Sequence, residues 1–158
     1  MQRAPTLLIK LAKAGTTNSV RYKMKKTKRK DIGFIGEDLA INFLEKTGYE
    51  ILERNYRCKY CEIDLIARVE DKLVFIEVKL KKVCRGILNM PWCKAIEAVD
   101  YSKQKKIIKS ALNYIQENNI ENLGIQFDVV GIELEAGKPP SITHLKNAFE
   151  PIESDFEE

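Results

Sequence analysis

Cys61-Glu62-Ile63-Asp64-Leu65-Ile66-Ala67-Arg68, followed by Leu73-Val74-Phe75-Ile76-Glu77-Val78-Lys79, is the stretch on which the fold turns. Both runs alternate and carry branched apolar side chains, which predicts two strands. Val69-Glu70-Asp71-Lys72 between them predicts a tight turn with Glu70 and Asp71 at its centre. That turn sets Asp64 opposite Glu77 and Glu62 opposite Lys79. Side chains repeat every second residue on a strand, so Glu77 and Lys79 share a face. Ile63, Leu65, Ile76 and Val78 are expected on the other. A slip of one residue would exchange the two faces.

Opposed carboxylates repel unless something neutralises them. A divalent cation between Asp64 and Glu77 would do so, and a neighbouring Lys79 would complete what metal-assisted phosphodiester cleavage needs. The plainer reading is an ordinary hairpin with a Glu62–Lys79 surface pair.

The chain has 158 residues, 27 Lys or Arg, 23 Asp or Glu, and a formal charge of +4. Its length fits one domain with a real core. The charge is unevenly placed. Residues 1–30 hold ten basic residues and no acidic one, residues 46–109 hold 15 basic and 9 acidic, and residues 110–158 hold 2 basic and 10 acidic. Positive charge therefore gathers around the hairpin and the following helix, which suits a polyanion such as nucleic acid, although a basic helix face can also be merely solvated. No apolar run approaches the roughly 20 residues of a membrane span. Cys58, Cys61, Cys84 and Cys93 give no small-domain disulfide pattern, and with no secretory signal the cytoplasm and free thiols are expected. His144 is the only histidine, which argues against histidine-based zinc catalysis. Candidate general bases are then carboxylates, lysine and metal-bound water.

Residues 1–32 read as a basic, flexible arm, with a short amphipathic stretch from Pro5 to Lys13 ended by Gly15. Its acid-free composition weakly resembles a transit peptide. Alternatives are a plain basic tail or initiation at Met24. Residues 33–150 form the expected domain, and residues 151–158 an acidic tail. Gly33 to Thr47 predicts a helix stopped by Gly48. Glu37 lies on its stripe of Gly33, Ala40, Ile41 and Leu44, where a carboxylate is not needed for solubility, unless it reaches water from the stripe's edge. Tyr49–Tyr56 predicts a first strand, residues 81–91 a loop, and residues 94–118 a long helix. Gln104, Ile107, Ile108, Ala111 and Ile115 form that helix's inward stripe. Lys103, Lys106 and Lys109 are placed on the opposite side, for phosphate or solvent. Gly124–Glu135 and Ser141–Leu145 predict two more strands. The order is αβββαββ. A hairpin followed by a crossover helix implies an α/β fold with a mixed central sheet flanked by helices.

This order, with Asp64 on the second strand and Glu77-x-Lys79 on the third, resembles the PD-(D/E)xK nuclease superfamily and its restriction-endonuclease-like fold. From Gly33 to Phe149 the chain more closely resembles the YraN family of small, endonuclease-like bacterial proteins. The carriers are Gly36-Glu37-Asp38-Leu39-Ala40, Gly48-Tyr49, Ile51 to Arg57, Glu62 to Ile66, Val74 to Lys79, Ser102-Lys103-Gln104, Phe127-Asp128-Val129-Val130 and Asn147-Ala148-Phe149. The resemblance implies that Asp64 and Glu77 bind Mg²⁺ or Mn²⁺ and that Lys79 assists water or phosphate. Glu37 would complete the metal shell from the first helix, and Gln104 would reach the site from the second. Cys61, Ile63, Leu80-Lys81 and Gln126 depart from the usual Gly, Pro, Thr-Arg and Arg. The last two departures bear on substrate contacts.

Three functions follow as expectations. The first is a Mg²⁺-dependent nuclease acting on DNA and directed by its structure, since the chain has no added recognition domain. The second is a nucleic-acid-binding module that keeps the fold without cutting. The third is a protein-docking domain. A homodimer would suit a two-stranded substrate. Cys58-x-x-Cys61 also has metal-ligand spacing, and some superfamily relatives carry cysteine-bound iron–sulfur clusters. A Zn²⁺ or cluster site at Cys58, Cys61, Cys84 and Cys93 is therefore a further candidate, against the irregular spacing of the second pair and the commonness of buried free thiols.

Overall fold

Glycine stops the first helix where the sequence places the stop. In the structure, a computed structural model describing residues 29–83 and 99–152, α1 runs Arg29–Lys46. Gly48 has φ +92°, Tyr49 N–H donates to Leu44 O, and Gly48 N–H donates to Glu45 O. This is the reciprocal pair that closes a helix through a left-handed residue. β1 (Glu50–Arg57), β2 (Glu62–Val69) and β3 (Lys72–Val83) follow as antiparallel neighbours. α2 (Tyr101–Glu117) leads to β4 (Gly124–Glu135), which lies parallel to β3, and β5 (Ser141–Leu145) returns antiparallel. The sheet order is β1-β2-β3-β4-β5. Among the described residues this is the mixed sheet and αβββαββ order expected of the restriction-endonuclease-like fold.

The hairpin register is the expected one from Val69↔Lys72 to Leu65↔Ile76, with Glu70 at φ +54° in the turn. Two layers of core flank the sheet. Ala40 and Leu44 of α1 pack on Leu65, Ala67, Val74, Ile76, Val130 and Ile132. Ile107, Ile108, Ala111 and Tyr114 of α2 pack on Ile66, Leu73, Phe75, Phe127 and Val129. Among the described residues no helix is long and apolar enough to cross a membrane.

Several expected details differ. Ile63 joins the α2-side cluster with Tyr56, not the face of Leu65 and Ile76. Lys81, Lys82 and Val83, expected in a loop, extend β3 and pair with Glu133, Leu134 and Glu135. The helix expected over residues 94–118 is interrupted at Val99 and Asp100: α2 begins at Tyr101, and residues 94–98 lie outside the described residues. Asp100 is its N-cap, and its side chain accepts from Lys103 N–H at 3.0 Å. Glu62 pairs with Arg57 at 3.1 Å, so the Glu62–Lys79 surface pair does not form. The first helix starts at Arg29, so residues 29–32 of the expected arm belong to it, while residues 1–28, Cys84, Cys93 and the tail beyond Ile152 lie outside the described residues.

One buried carboxylate ties the far side of the sheet. Asp128 is 1% exposed and accepts from Gln126 Nε2 (2.8 Å) and Asn147 N–H (2.9 Å), with His144 Nε2 at 2.7 Å. Gln126 also accepts from Lys72 Nζ at 3.4 Å. It is a member of this structural network and is nearly buried, at 9% exposed, which leaves little of it for the substrate contact expected at that position. Tyr49 lies edge-on to His144. Asp128→Ala strands three polar groups, two of them largely buried, so it is expected to lower unfolding free energy by roughly 3 kcal/mol. Asp128→Asn, which keeps one acceptor oxygen, should cost less. Equal stability of wild type and Asp128→Ala in urea denaturation would contradict this.

Candidate functional site

The β2–β3 ladder stops at Leu65↔Ile76, one step before Asp64 would face Glu77. At that step a side chain replaces the backbone partner, and Val78 N–H donates to Asp64 Oδ2 at 2.7 Å. The two strands separate around a carboxylate, leaving Asp64 and Glu77 close on the α2 side. Glu77 is 7% exposed. Lys79 Nζ donates to its Oε1 at 2.7 Å, and Lys103 Nζ, from the first turn of α2, lies 3.3 Å from its Oε2. The second contact is an ion pair without hydrogen-bond geometry. Oε2 is buried and has no hydrogen-bond partner.

Charge at this point is therefore balanced by two ammonium groups, so the opposed carboxylates do not by themselves require a metal ion. The balance is incomplete at Asp64. Burial first, then the charge of Glu77, push its carboxyl up to about 7, against the Val78 amide and Lys103, which favour ionisation. Glu37 adds to the rise, which places its charge within electrostatic reach. Burial acts against the charge on Lys103, but Glu77, Cys61 and Asp64 outweigh it and raise that pKa.

Glu37 arrives from the other helix. Its side chain is 13% exposed and accepts from Asn55 Nδ2 at 2.8 Å through Oε2, with Arg54 Nη2 at 3.7 Å. Arg54 is held more closely by Asp38, at 2.8 Å. Gly36 next to Glu37 lets α1 press on β3, since a Cβ there would come within 3.1 Å of Leu80 Cδ1. Gln104 is half-buried, and its Nε2 donates to Val99 O at 2.7 Å, bracing the start of α2. The residue that α2 brings to Glu77 is its neighbour Lys103, which the sequence reading placed on the opposite side. Lys103 lies four before Ile107 and seven before Ser110, both buried, and that spacing is the signal for it.

Asp64, Glu77, Lys79 and Lys103 thus meet, and Glu37 stands beside them. Among the described residues no three His, Cys, Asp or Glu side chains converge to hold a metal ion as they stand. The donor chemistry fits Mg²⁺ or Mn²⁺ held in another way. Mg²⁺ is commonly bound by one or two carboxylates, with water and substrate phosphate supplying the rest. Asp64 and Glu77 are two such groups, and Oε2, which has an ion pair with Lys103 but no hydrogen bond, is an oxygen that can accept a further partner. Cys58 and Cys61 are free thiols, each 3.2 Å from the buried Ser110 Oγ. Burial raises the Cys61 thiol. At Cys58 the contacts with Ser110 and with the backbone of Tyr60 and Cys61 outweigh burial and lower it.

Residues 36–132 match the sequence model of "Uncharacterised protein family UPF0102". A UPF0102 protein of Caldanaerobacter subterraneus subsp. tengcongensis is 40% identical over 80% of this chain and 100% of its own length. One of Clostridioides difficile is 42% identical over 76% of this chain and 97% of its own. One of Chloroherpeton thalassium is 43% identical over 77% and 84%. Among solved structures the chain is similar to Pyrococcus furiosus SfsA in complex with Ca²⁺, with a TM-score of 0.33 and 13% identity over 84% of this chain and 77% of that one. The match to more than half of the chain, together with relatives matched over most or all of their length, makes this chain a member of the UPF0102 family, the YraN family that its motifs resemble.

Proposed function

We propose that this protein is a Mg²⁺- or Mn²⁺-dependent nuclease that cleaves phosphodiester bonds in structured DNA. The observation that carries the reading is the meeting of Asp64, Glu77, Lys79 and Lys103 at the opened end of the hairpin, with Glu77 Oε2 buried and lacking a hydrogen bond. Asp64 and Glu77 would hold the cation, which supplies Lewis-acid polarisation of the phosphate and a more acidic water. Lys79 and Lys103 hold positive charge where a phosphodiester would lie. Lys79 is the nearer to Glu77 and the more open to water, so it is assigned to orient the attacking water or the phosphate. Lys103, anchored on α2, is assigned to the phosphate charge.

Lys103→Gln is expected to lower the cleavage rate roughly 100-fold, the scale at which a fixed donor stabilises developing charge. Equal rates for Lys103→Gln and wild type would remove Lys103 from the site.

One observation favours a second reading, a nucleic-acid-binding module that does not cut. The two lysines already compensate Glu77 without a metal ion. The test is incubation with linear, nicked, flapped and four-way DNA and with single-stranded RNA, with Mg²⁺, with Mn²⁺ and with chelator. The nuclease reading expects metal-dependent products from at least one DNA. Binding without products on every substrate would establish the module instead.

A further inference from the structure

We infer that Asn55 is a positioning residue that fixes Glu37 at the level of Asp64, and this rests on the divalent-cation reading of the site. Asn55 lies within β1 yet has φ +53°. Left-handed backbone is rare for a non-glycine residue and unexpected in the interior of a strand. Its effect is visible on either side. Arg54 pairs with Asp38 on α1, while Tyr56, two residues on, packs in the cluster beneath α2. Two residues of one strand that should share a face are thus turned to opposite faces.

The same reversal occurs across the ladder. Arg54↔Leu65 and Tyr56↔Ile63 are paired, so Asn55 and Asp64 occupy the rung between them. Leu65 packs on the α1 side and Ile63 on the α2 side. The rung at which both strands switch faces is therefore the rung of Asp64. From it the Asn55 amide reaches Glu37 Oε2 at 2.8 Å. A carboxylate carried by the helix on one side of the sheet is tied to the carboxylate that faces the other.

Glu37 accepts this bond through one oxygen and does not converge with Asp64 and Glu77 as a third ligand among the described residues. It is placed instead to order water around a cation held by the other two. Arg54 Nη2 also stands 3.7 Å from that oxygen, but Asp38 holds it at 2.8 Å, so the hydrogen bond that orients Glu37 is the one from the Asn55 amide. Groups of this kind, outside the direct ligands, typically change metal affinity 10- to 100-fold when removed.

The test is Mn²⁺ titration followed by electron paramagnetic resonance on the full chain, comparing wild type, Asn55→Gly, Glu37→Gln and the double variant. Glycine accepts positive φ, so Asn55→Gly removes the amide while keeping the backbone conformation. Urea denaturation without metal checks that the fold survives. The expected result is about 10-fold weaker Mn²⁺ binding in each single variant, with no further loss in the double, because Asn55 acts through Glu37. Additive losses, or unchanged affinity in Asn55→Gly, would overturn the inference and leave the cation site standing. Should Asn55→Gly unfold, unchanged affinity in Glu37→Gln, whose substitution lies on α1, overturns it equally. A wild-type protein that binds no Mn²⁺ would overturn the cation reading and this inference together.

Discussion

Asp64→Ala and Glu77→Ala are each expected to reduce cleavage about 1,000-fold or more while leaving nucleic-acid binding nearly unchanged. The magnitude follows from the role of the cation. A Lewis acid at a phosphoryl oxygen stabilises the transition state by several kcal/mol, and each 1.36 kcal/mol is a factor of about ten in rate. Two carboxylates holding one ion act as a unit, so the double variant should be little worse than either single one. Binding should persist because phosphate is met by ammonium groups. Lys79 and Lys103 lie at the site, and Lys106, which is exposed, and Lys109 follow on α2. Glu77→Ala should even free Lys79 and Lys103, which the carboxylate now holds at 2.7 and 3.3 Å, and so tighten binding slightly. A filter-binding or anisotropy titration alongside the cleavage assay separates the two quantities. Loss of both together in a folded variant would mean that the carboxylates shape the binding surface and do not hold a catalytic ion.

Without metal, Asp64→Asn is expected to be more stable than wild type at pH 8, and that advantage should fall by more than half on going to pH 5. Asp64 titrates near its ordinary value of 3.8 when unfolded and at about 7 when folded. Well below pH 3.8 the carboxyl is protonated in both states and imposes no penalty. As pH rises, the unfolded chain releases its proton first, so the folded state loses relative stability until the folded group also ionises near 7. Linkage gives an upper bound of roughly 4 kcal/mol for the full loss, and water at the half-buried side chain screens part of it. Asparagine has no proton to lose, so it escapes the penalty. Urea denaturation in chelator at pH 5 and pH 8 reads the difference, and an advantage independent of pH would contradict this account of Asp64. The same proton must leave before a cation can bind.

The hairpin was legible because two independent signals agreed. Alternation placed the faces, and the turn at Glu70-Asp71 placed the register. β4 and β5 were equally plain, since apolar residues alternate or run together between glycine, proline and acidic breaks. Gly48 marked the end of α1 because a helix commonly closes through a left-handed residue. Asp64, Glu77 and Lys79 came together because residues on one pleated face stay neighbours once the register is known. What failed were features decided by single residues against the pattern. No periodicity shows that Asn55 takes φ +53°, so the turning of Ile63 toward α2 was invisible. On α2, Ile107, Ile108 and Ala111 are buried as expected, but the buried face also takes in Ser110 and Tyr114. Ser110 counted as polar, yet it is fully buried against the thiols of Cys58 and Cys61. With Ser110 and Tyr114 inward, Lys103 comes to Glu77, and Gln104 turns back to Val99.

Asp64 and Glu77 are proposed to form one divalent-cation site. Mn²⁺ binding at pH 8, measured by titration calorimetry on wild type, Asp64→Asn and Glu77→Gln, tests it without reference to any substrate. Wild type is expected to bind Mn²⁺ saturably, with displacement by Mg²⁺, and each variant to lose most of that affinity while remaining folded. Mn²⁺ binding of equal strength in all three proteins, or none in wild type, would contradict it.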